Sequence, residues 1–227
     1  MDKIYMLHGF MGTAETHFMN QIERFKDSYE VVAIDLPGHG ASTVTAAENY
    51  IEETIQFVLN LMKQKGKGYI MGLSLGASLA IHIAMRERDL VKGIILTGYS
   101  PFIPEEFQEL MEKQYQYFLQ IEEHDQEAAE QFKNLHGDKW KTTIKNVLEK
   151  MTYHYPSVSG KEIESLHSPA LVLNGSEELY EVESALFMKK HNPNISIALI
   201  PDAGHTANID QPEVYNGIVE RFLTKTK

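Results

Sequence analysis

Six short apolar runs, each followed by a longer segment of helical periodicity, constrain the fold of this 227-residue chain more than any other feature. The runs are rich in branched side chains and end at glycine, proline or a polar residue, as buried strands do. They predict strands at residues 4–8, 31–35, 69–73, 93–98, 170–175 and 196–201. The intervening segments space apolar residues at three and four, which predicts amphipathic helices at residues 16–25, 48–65, 75–88, 182–191 and 211–224. This alternation requires crossover connections, and it therefore predicts an α/β fold with a mostly parallel sheet of about six strands and helices on both faces.

The alternation breaks between the fourth and fifth predicted strands. No strand pattern is convincing from residue 101 to residue 167, where three helical patterns begin at Pro104, His124 and Asp138. We therefore predict a core formed by residues 1–100 and 168–227, and a helical cap formed by residues 101–167. An insert at the carboxyl ends of parallel strands lies over the edge where such sheets bind ligands.

Composition excludes several classes of function. Lys and Arg total 21 against 32 Asp and Glu, and the formal net charge of −11 disfavours a nucleic-acid partner. Cysteine is absent, which excludes disulfides and thiolate metal sites. The N-terminal sequence MDKIYMLHGF does not resemble a signal peptide, and no stretch approaches the roughly 18 apolar residues of a membrane span. We expect a soluble cytoplasmic protein with no membrane partner; the oligomeric state is left open.

The pentapeptide GLSLG, from Gly72 to Gly76, offers a candidate nucleophile. It follows a predicted buried strand and precedes a predicted helix, so that Ser74 lies on a tight strand-to-helix turn. Such a turn is strained and exposes the serine hydroxyl above the sheet, and a Cβ at either glycine would collide with a neighbouring element. The alternative is a serine that only caps the helix. The context favours a nucleophile.

A serine nucleophile needs a base, and His205 is our candidate among ten histidines. It follows the sixth predicted strand in the loop PDAGHTAN, at the carboxyl edge of the sheet. His8 and His39 also follow strands, but we expect His8 to order its own loop through side-chain hydrogen bonds. His82 and His191 fall within predicted helices, which favours a structural or solvated role.

The base in turn needs a carboxylate that fixes its tautomer and stabilises the imidazolium. The sequence LNGSEELYE, after the fifth predicted strand, offers Glu177, Glu178 and Glu181. Glu178 is our first choice and Glu177 our second. Because adjacent glutamates in a loop are commonly just solvated, the assignment depends on the fold of this turn.

An oxyanion needs hydrogen-bond donors, and two backbone groups are candidates. The N–H of Leu75 directly follows the nucleophile. The sequence HGFMG, at the end of the first predicted strand, supplies the second candidate, the N–H of Phe10, because Gly9 allows that loop to approach the site.

Together, HGFMG, DLPGHGAS, GLSLG, NGSEE and AGH resemble the α/β-hydrolase superfamily in order and spacing, across essentially the whole chain. The resemblance implies an eight-stranded, mostly parallel sheet with a helical cap, and a chain order of nucleophile, acid and base that matches Ser74, Glu178 and His205. This chain differs in two respects. It begins almost at the family's third strand, so that six strands are expected, and it has Glu where most relatives have Asp.

A serine nucleophile implies acyl transfer to water through an acyl-enzyme, and the resemblance implies no metal or organic cofactor. We therefore expect a hydrolase acting on a small-molecule acyl substrate, a small or medium ester or thioester. One alternative is a lyase of the same fold, like the menaquinone-pathway enzyme that eliminates pyruvate from a multiply anionic substrate. The cap contains no arginine to hold such a substrate by paired hydrogen bonds, which disfavours the lyase. A non-catalytic ligand receptor is a further alternative. The cap aromatics are candidates for pocket walls or cap core: Tyr115, Tyr117, Phe118, Trp140, Tyr153 and Tyr155.

Overall fold

Six parallel strands form one sheet in the computed structural model, which describes residues 1–226. Their order across the sheet is β2-β1-β3-β4-β5-β6. The strands are β1 (Lys3–Leu7), β2 (Glu30–Ile34), β3 (Gly68–Leu73), β4 (Val91–Thr97), β5 (Ala170–Gly175) and β6 (Ser196–Ile200). The predicted parallel sheet of about six strands is confirmed.

Helices cover both faces of this sheet, as predicted. The helices of the core are α1 (Ala14–Phe25), α2 (Tyr50–Lys65), α3 (Leu75–Arg86), α8 (Gly160–Glu164), α9 (Leu179–His191), α10 (Ala207–Asp210) and α11 (Pro212–Lys225). Side chains of α1, α10 and α11 pack on one face, and those of α2, α3, α8 and α9 pack on the other. Within residues 1–226, no helix has both the length and the apolar character needed to cross a membrane.

The buried strands follow from their near-continuous apolar sequences. In β1, Tyr5 and Leu7 join the core on one face, whereas Ile4 and Met6 join the core on the other. All four side chains are fully buried. Because successive side chains of a strand point to opposite faces, a strand covered on both sides must be apolar at every position.

A helical insert lies between β4 and β5, where the sequence predicted it. It contains α4 (Gln108–Leu119), α5 (Ile121–His124), α6 (Gln126–His136) and α7 (Trp140–Tyr153). These helices share a small core of their own, which includes Tyr115, Ile121, Trp140 and Ile144 and also contacts Met11 of the main body. The boundary of the cap at residue 167 stays a prediction, and the side chains of Val158, Ile163 and Leu166 pack into the main core.

Helix α3 packs closely on the sheet at two points, and a glycine lies at each of them. A Cβ on Gly76 would overlap the carbonyl oxygen of Leu7 at the end of β1, and one on Gly72 would overlap the backbone of Gly76. The collisions that the sequence predicted at both glycines are therefore present. This close approach holds the turn between β3 and α3 at the carboxyl edge of the sheet.

We expect Gly76→Ala to lower the free energy of unfolding by roughly 3 kcal/mol, because the added methyl group must push α3 away from β1. Urea unfolding measures the change. Gly217→Ala is a matched control, since Gly217 lies within α11 and a Cβ there meets no atom within 4 Å. The control should raise the free energy of unfolding by about 0.5–1 kcal/mol through helix propensity. Equal effects of the two substitutions would contradict the proposed contact.

Candidate active site

Ser74 lies in the turn between β3 and α3, with a backbone conformation that is rare for a residue other than glycine. Its φ is 54° and its ψ is −112°. The N–H of Ser74 donates to Thr97 O at the end of β4 (2.8 Å) and so anchors the turn. The serine side chain makes no hydrogen bond that caps α3, in contrast to the helix-capping alternative. A strained strand-to-helix turn of this kind is the geometry expected of a nucleophile elbow, and the role of Ser74 as nucleophile stays a prediction.

The loop that follows β1 approaches Ser74 from the neighbouring strand. His8 is fully buried and holds this loop in place, because its Nε2 accepts a hydrogen bond from Leu36 N–H (3.0 Å) and its Nδ1 donates to Gly9 O (2.8 Å). Met11 has a φ of 52°, so the backbone turns sharply. Our expectation that His8 orders its own loop is confirmed.

Two backbone N–H groups near Ser74 are free to bind an oxyanion. Within residues 1–226, the N–H groups of Phe10 and Leu75 have no hydrogen-bond acceptor. Both residues line the same cavity as Ser74. The structure therefore brings together the two donors that the sequence singled out; their role in binding an oxyanion stays a prediction.

His205 lies in the loop between β6 and α10 and lines the same cavity as Ser74. The loop packs against Gly98 at the end of β4, where φ is +56° and a Cβ would lie 2.6 Å from His205 O. His205 Nδ1 donates to Glu181 Oε1 at 2.5 Å. This hydrogen bond leaves Nε2 as the acceptor nitrogen of the neutral ring.

The carboxylate that contacts His205 is Glu181, and our first choice of Glu178 is therefore wrong for this contact. Glu178 is only partly buried and precedes the first residue of α9, whereas Glu181 lies in the first turn of the helix and is fully buried. Tyr180 Oη also donates to Glu181 Oε1 (3.0 Å). Glu177, our second choice, is exposed.

A signal for Glu181 was present in the sequence. Glu181, Ser184, Ala185 and Met188 recur at helical spacing, and all four are buried on the inner face of α9. A glutamate on the buried face of a helix needs a partner, since an unpaired buried charge is costly. The choice of Glu178 rested on its nearness to the end of the fifth strand, whereas the buried face of the helix determines the contact.

Glu181 also affects the pKa of His205. Burial lowers the pKa of His205, but the hydrogen bond and the negative charge of Glu181 outweigh burial, with smaller contributions from Glu178 and Asp210. The pKa of His205 is therefore raised above its ordinary value. The arrangement stabilises an imidazolium, as a general base requires after it takes a proton.

A cavity of about 420 Å³ extends from Ser74 under the cap. Its apolar walls come mainly from the cap and the loop after β1: Phe10, Ile103, Met111, Phe118, Leu148 and Met151. Among the described residues that line it, none is Lys, Arg, Asp or Glu. Of the six cap aromatics named above as candidates for pocket walls, Phe118 and Tyr155 line the cavity, Tyr115 and Trp140 are cap core, and Tyr117 and Tyr153 are exposed.

The cap is joined to the site by a buried histidine. His136 of α6 donates from Nε2 to Met11 O (3.0 Å), and its Nδ1 accepts from Gly40 N–H (2.9 Å). Burial lowers the pKa of His136, so that the neutral form that can make both bonds is favoured. One cap side chain thus fixes the loop that carries Phe10 and the loop that follows β2.

We expect Glu181→Gln to lower the pKa of His205, because burial would then oppose the charged ring with less compensation. The imidazole resonances of His205, followed by NMR as a function of pH, measure the change. Glu178→Gln is the matched control and should lower this pKa much less, since Glu178 acts only through its charge at a longer distance. A larger effect at Glu178 would contradict the observed pairing.

Comparison with known families and proteins agrees with the fold. The Alpha/beta hydrolase family model matches residues 4–218. A curated relative, the (E)-2-((N-methylformamido)methylene)succinate hydrolase of Acinetobacter baylyi, is 24% identical over 241 residues, which cover 99% of this chain and 91% of that protein.

Solved structures show the same architecture. NosK from Streptomyces actuosus is 30% identical, with a TM-score of 0.92 over 99% of this chain and 98% of that one. MenH from S. aureus is 21% identical, with a TM-score of 0.80 over 99% and 94% of the two chains, a likeness of fold alone. The six-stranded core and its cap therefore recur, nearly complete, in a relative of the same length.

Proposed function

Because the chain belongs to the alpha/beta hydrolase family, we propose that it is a serine hydrolase that cleaves a small or medium, uncharged carboxylic ester or thioester. The observation that carries the proposal is the common cavity of Ser74, His205 and the free N–H groups of Phe10 and Leu75. These groups are a nucleophile, a base and two donors, the set that acyl transfer requires.

In the proposed reaction, Ser74 Oγ attacks the carbonyl carbon of the substrate while His205 Nε2 takes the hydroxyl proton. The negative charge that develops on the carbonyl oxygen is stabilised by the N–H groups of Phe10 and Leu75. The tetrahedral intermediate expels the alcohol or thiol, which receives the proton from His205. Water then attacks the acyl-enzyme by the same steps, and the acid product leaves. Glu181 holds the ring and stabilises its charged form throughout.

The uncharged lining of the cavity supports a neutral substrate. A lyase acting on a multiply anionic substrate needs cationic side chains that hold its carboxylates, and the same holds for a hydrolase of substituted succinates. The described residues of the cavity wall provide neither Lys nor Arg. We therefore propose an ester or thioester and retain the lyase as the alternative to be tested.

A fluorophosphonate probe tests the nucleophile directly. We expect mass spectrometry to locate the adduct on Ser74, and Ser74→Ala to abolish both labelling and ester hydrolysis. Labelling at another residue, or none, would contradict the hydrolase. A series of p-nitrophenyl esters then ranks acyl length. Pyruvate release from the menaquinone-pathway intermediate, with weak esterase activity, would instead favour the lyase, and slow labelling without a burst would favour a receptor.

The pH dependence of hydrolysis tests the base. His205 acts only when neutral, so kcat/KM should fall as the pH drops through its pKa, which is raised above the ordinary value. Glu181→Gln should move this acidic limb to lower pH and reduce kcat by roughly a hundredfold or more. Glu178→Gln should retain most of the activity. An unchanged acidic limb in Glu181→Gln would show that another group titrates.

A further inference from the structure

His17 of α1 is a second histidine in the wall of the cavity, and its tautomer is fixed by the loop after β1. Its Nδ1 accepts a hydrogen bond from Gly9 N–H at 3.0 Å. In a neutral imidazole only one ring nitrogen carries a proton, so this bond places the proton of His17 on Nε2. Within residues 1–226, Nε2–H has no hydrogen-bond acceptor. Nε2 is also not one of the fully buried polar atoms that lack a partner.

The ring of His17 packs against the loop after β1. It packs directly on Gly12, where any Cβ would overlap the ring. The second glycine of HGFMG therefore makes room for a side chain of this chain. Thr13 caps α1 by accepting from Thr16 N–H, which fixes where the first turn of the helix places His17.

The backbone at His17 is also held by the segment that follows His205. Helix α1 is distorted at Phe18, where φ is −129°. The carbonyl oxygen of His17 accepts a hydrogen bond from Asn208 Nδ2 (2.6 Å), and Asn208 belongs to α10, directly after the loop that carries His205. One hydrogen bond thus joins the position of His17 to the segment that positions the base.

His17 lies beside the reacting groups. A Cβ built on Gly9 would lie 3.4 Å from His17 Cε1 and 3.4 Å from Ser74 Cβ, so that a space of about one methyl group separates the two side chains. The charge of His205 also acts on His17. The cap contributes the apolar Met111, Phe118 and Leu148 to the lining, together with the polar Gln114 and Tyr155. His17, His205 and Thr206 are polar lining residues of the core and are called the polar wall below.

We propose that His17 is a substrate-binding residue whose Nε2–H donates to an acceptor oxygen in the alcohol or thiol part of the substrate. The proposal rests on the proposed hydrolase function. The cap-side walls would hold the apolar acyl group, and the polar wall beside the base would hold the leaving group. The substrate class is then a neutral ester or thioester whose leaving group carries an ether, carbonyl or hydroxyl oxygen.

A neutral donor suits this position. Burial lowers the pKa of His17 to about 4, and the charge of His205 acts in the same direction. His17 therefore stays uncharged near neutral pH, and it does not oppose the positive charge that His205 gains during the reaction. A lysine or arginine in its place would oppose that charge.

Matched pairs of butyrate esters test the proposal. Butyl against 2-methoxyethyl butyrate, and pentyl against 3-methoxypropyl butyrate, exchange one CH₂ for an ether oxygen at two distances from the reacting carbonyl. The readout is the kcat/KM ratio of ether to alkyl ester in the unaltered protein, divided by the same ratio in each variant, so that intrinsic reactivity cancels.

His17→Asn keeps an acceptor for Gly9 N–H but its amide ends short of the position of Nε2. It should reduce the variant's ether-to-alkyl ratio of kcat/KM about tenfold for at least one pair, so that the readout rises to about ten, the effect of one lost hydrogen bond. His17→Gln, whose amide nitrogen reaches the position of Nε2, should keep the ratio. The exposed His167→Asn is the control and should change nothing. The ratio of the unaltered protein should be constant between pH 6 and pH 8.

Labelling of Ser74 by the fluorophosphonate separates the outcomes. Equal loss on ether and alkyl esters in His17→Asn, or no loss, would overturn the proposal while Ser74 of the unaltered protein still reacts. If the ether-to-alkyl ratio of kcat/KM also falls in His17→Gln while labelling is retained, His17 has a positioning role only. Absence of labelling in the unaltered protein would overturn the hydrolase function itself, and the proposal with it.

Discussion

The close approach of α3 to the end of β1 is the contact on which the site depends. Because Gly76 lies against the carbonyl of Leu7, α3 must begin directly after β3, and the residue between them takes a positive φ. The same contact places the loop after β1 beside Ser74, where a Cβ on Gly9 would lie 3.4 Å from Ser74 Cβ and 3.4 Å from His17 Cε1. A single backbone approach thus positions both Ser74 and the loop that carries the free N–H of Phe10.

Three histidines from three elements then hold the loop after β1. His8 donates to Gly9 O, His17 accepts from Gly9 N–H, and His136 of the cap donates to Met11 O. His8 and His136 must be neutral to serve as both donor and acceptor, and His17 must leave Nδ1 unprotonated to accept; burial lowers the pKa of all three. His205 differs because a buried carboxylate faces it, and its pKa is raised. The same side chain is therefore kept neutral at three positions that hold the loop, and is more readily protonated at the fourth, where a buried carboxylate lies beside it.

Most of the fold could be predicted from periodicity, since all six strands and the helical insert occur where apolar patterns indicated them. Ser74 and His205 could be placed at one sheet edge because strand ends fix them. Glu181 could not be chosen over Glu178 by counting residues from β5, because the choice depends on where α9 begins and which face it buries. His17 was also missed. It follows no strand, and its place in the cavity results from the loop that folds back over α1, a contact without a local sequence signal.

The distribution of charge around the cavity limits what can react there. Glu181 is fully buried and lies behind His205, and only one of its oxygens accepts hydrogen bonds within the part of the chain that the structure describes. Its negative charge is therefore compensated mainly when His205 is protonated. A carboxylate on the substrate would compete for that single positive charge, and the uncharged wall offers it no other cation. A neutral substrate leaves the imidazolium paired with Glu181, so that the proton stays available for the leaving group. In the proposed hydrolase, a wall without lysine or arginine among the described residues would therefore favour a neutral substrate and leave the imidazolium paired with Glu181.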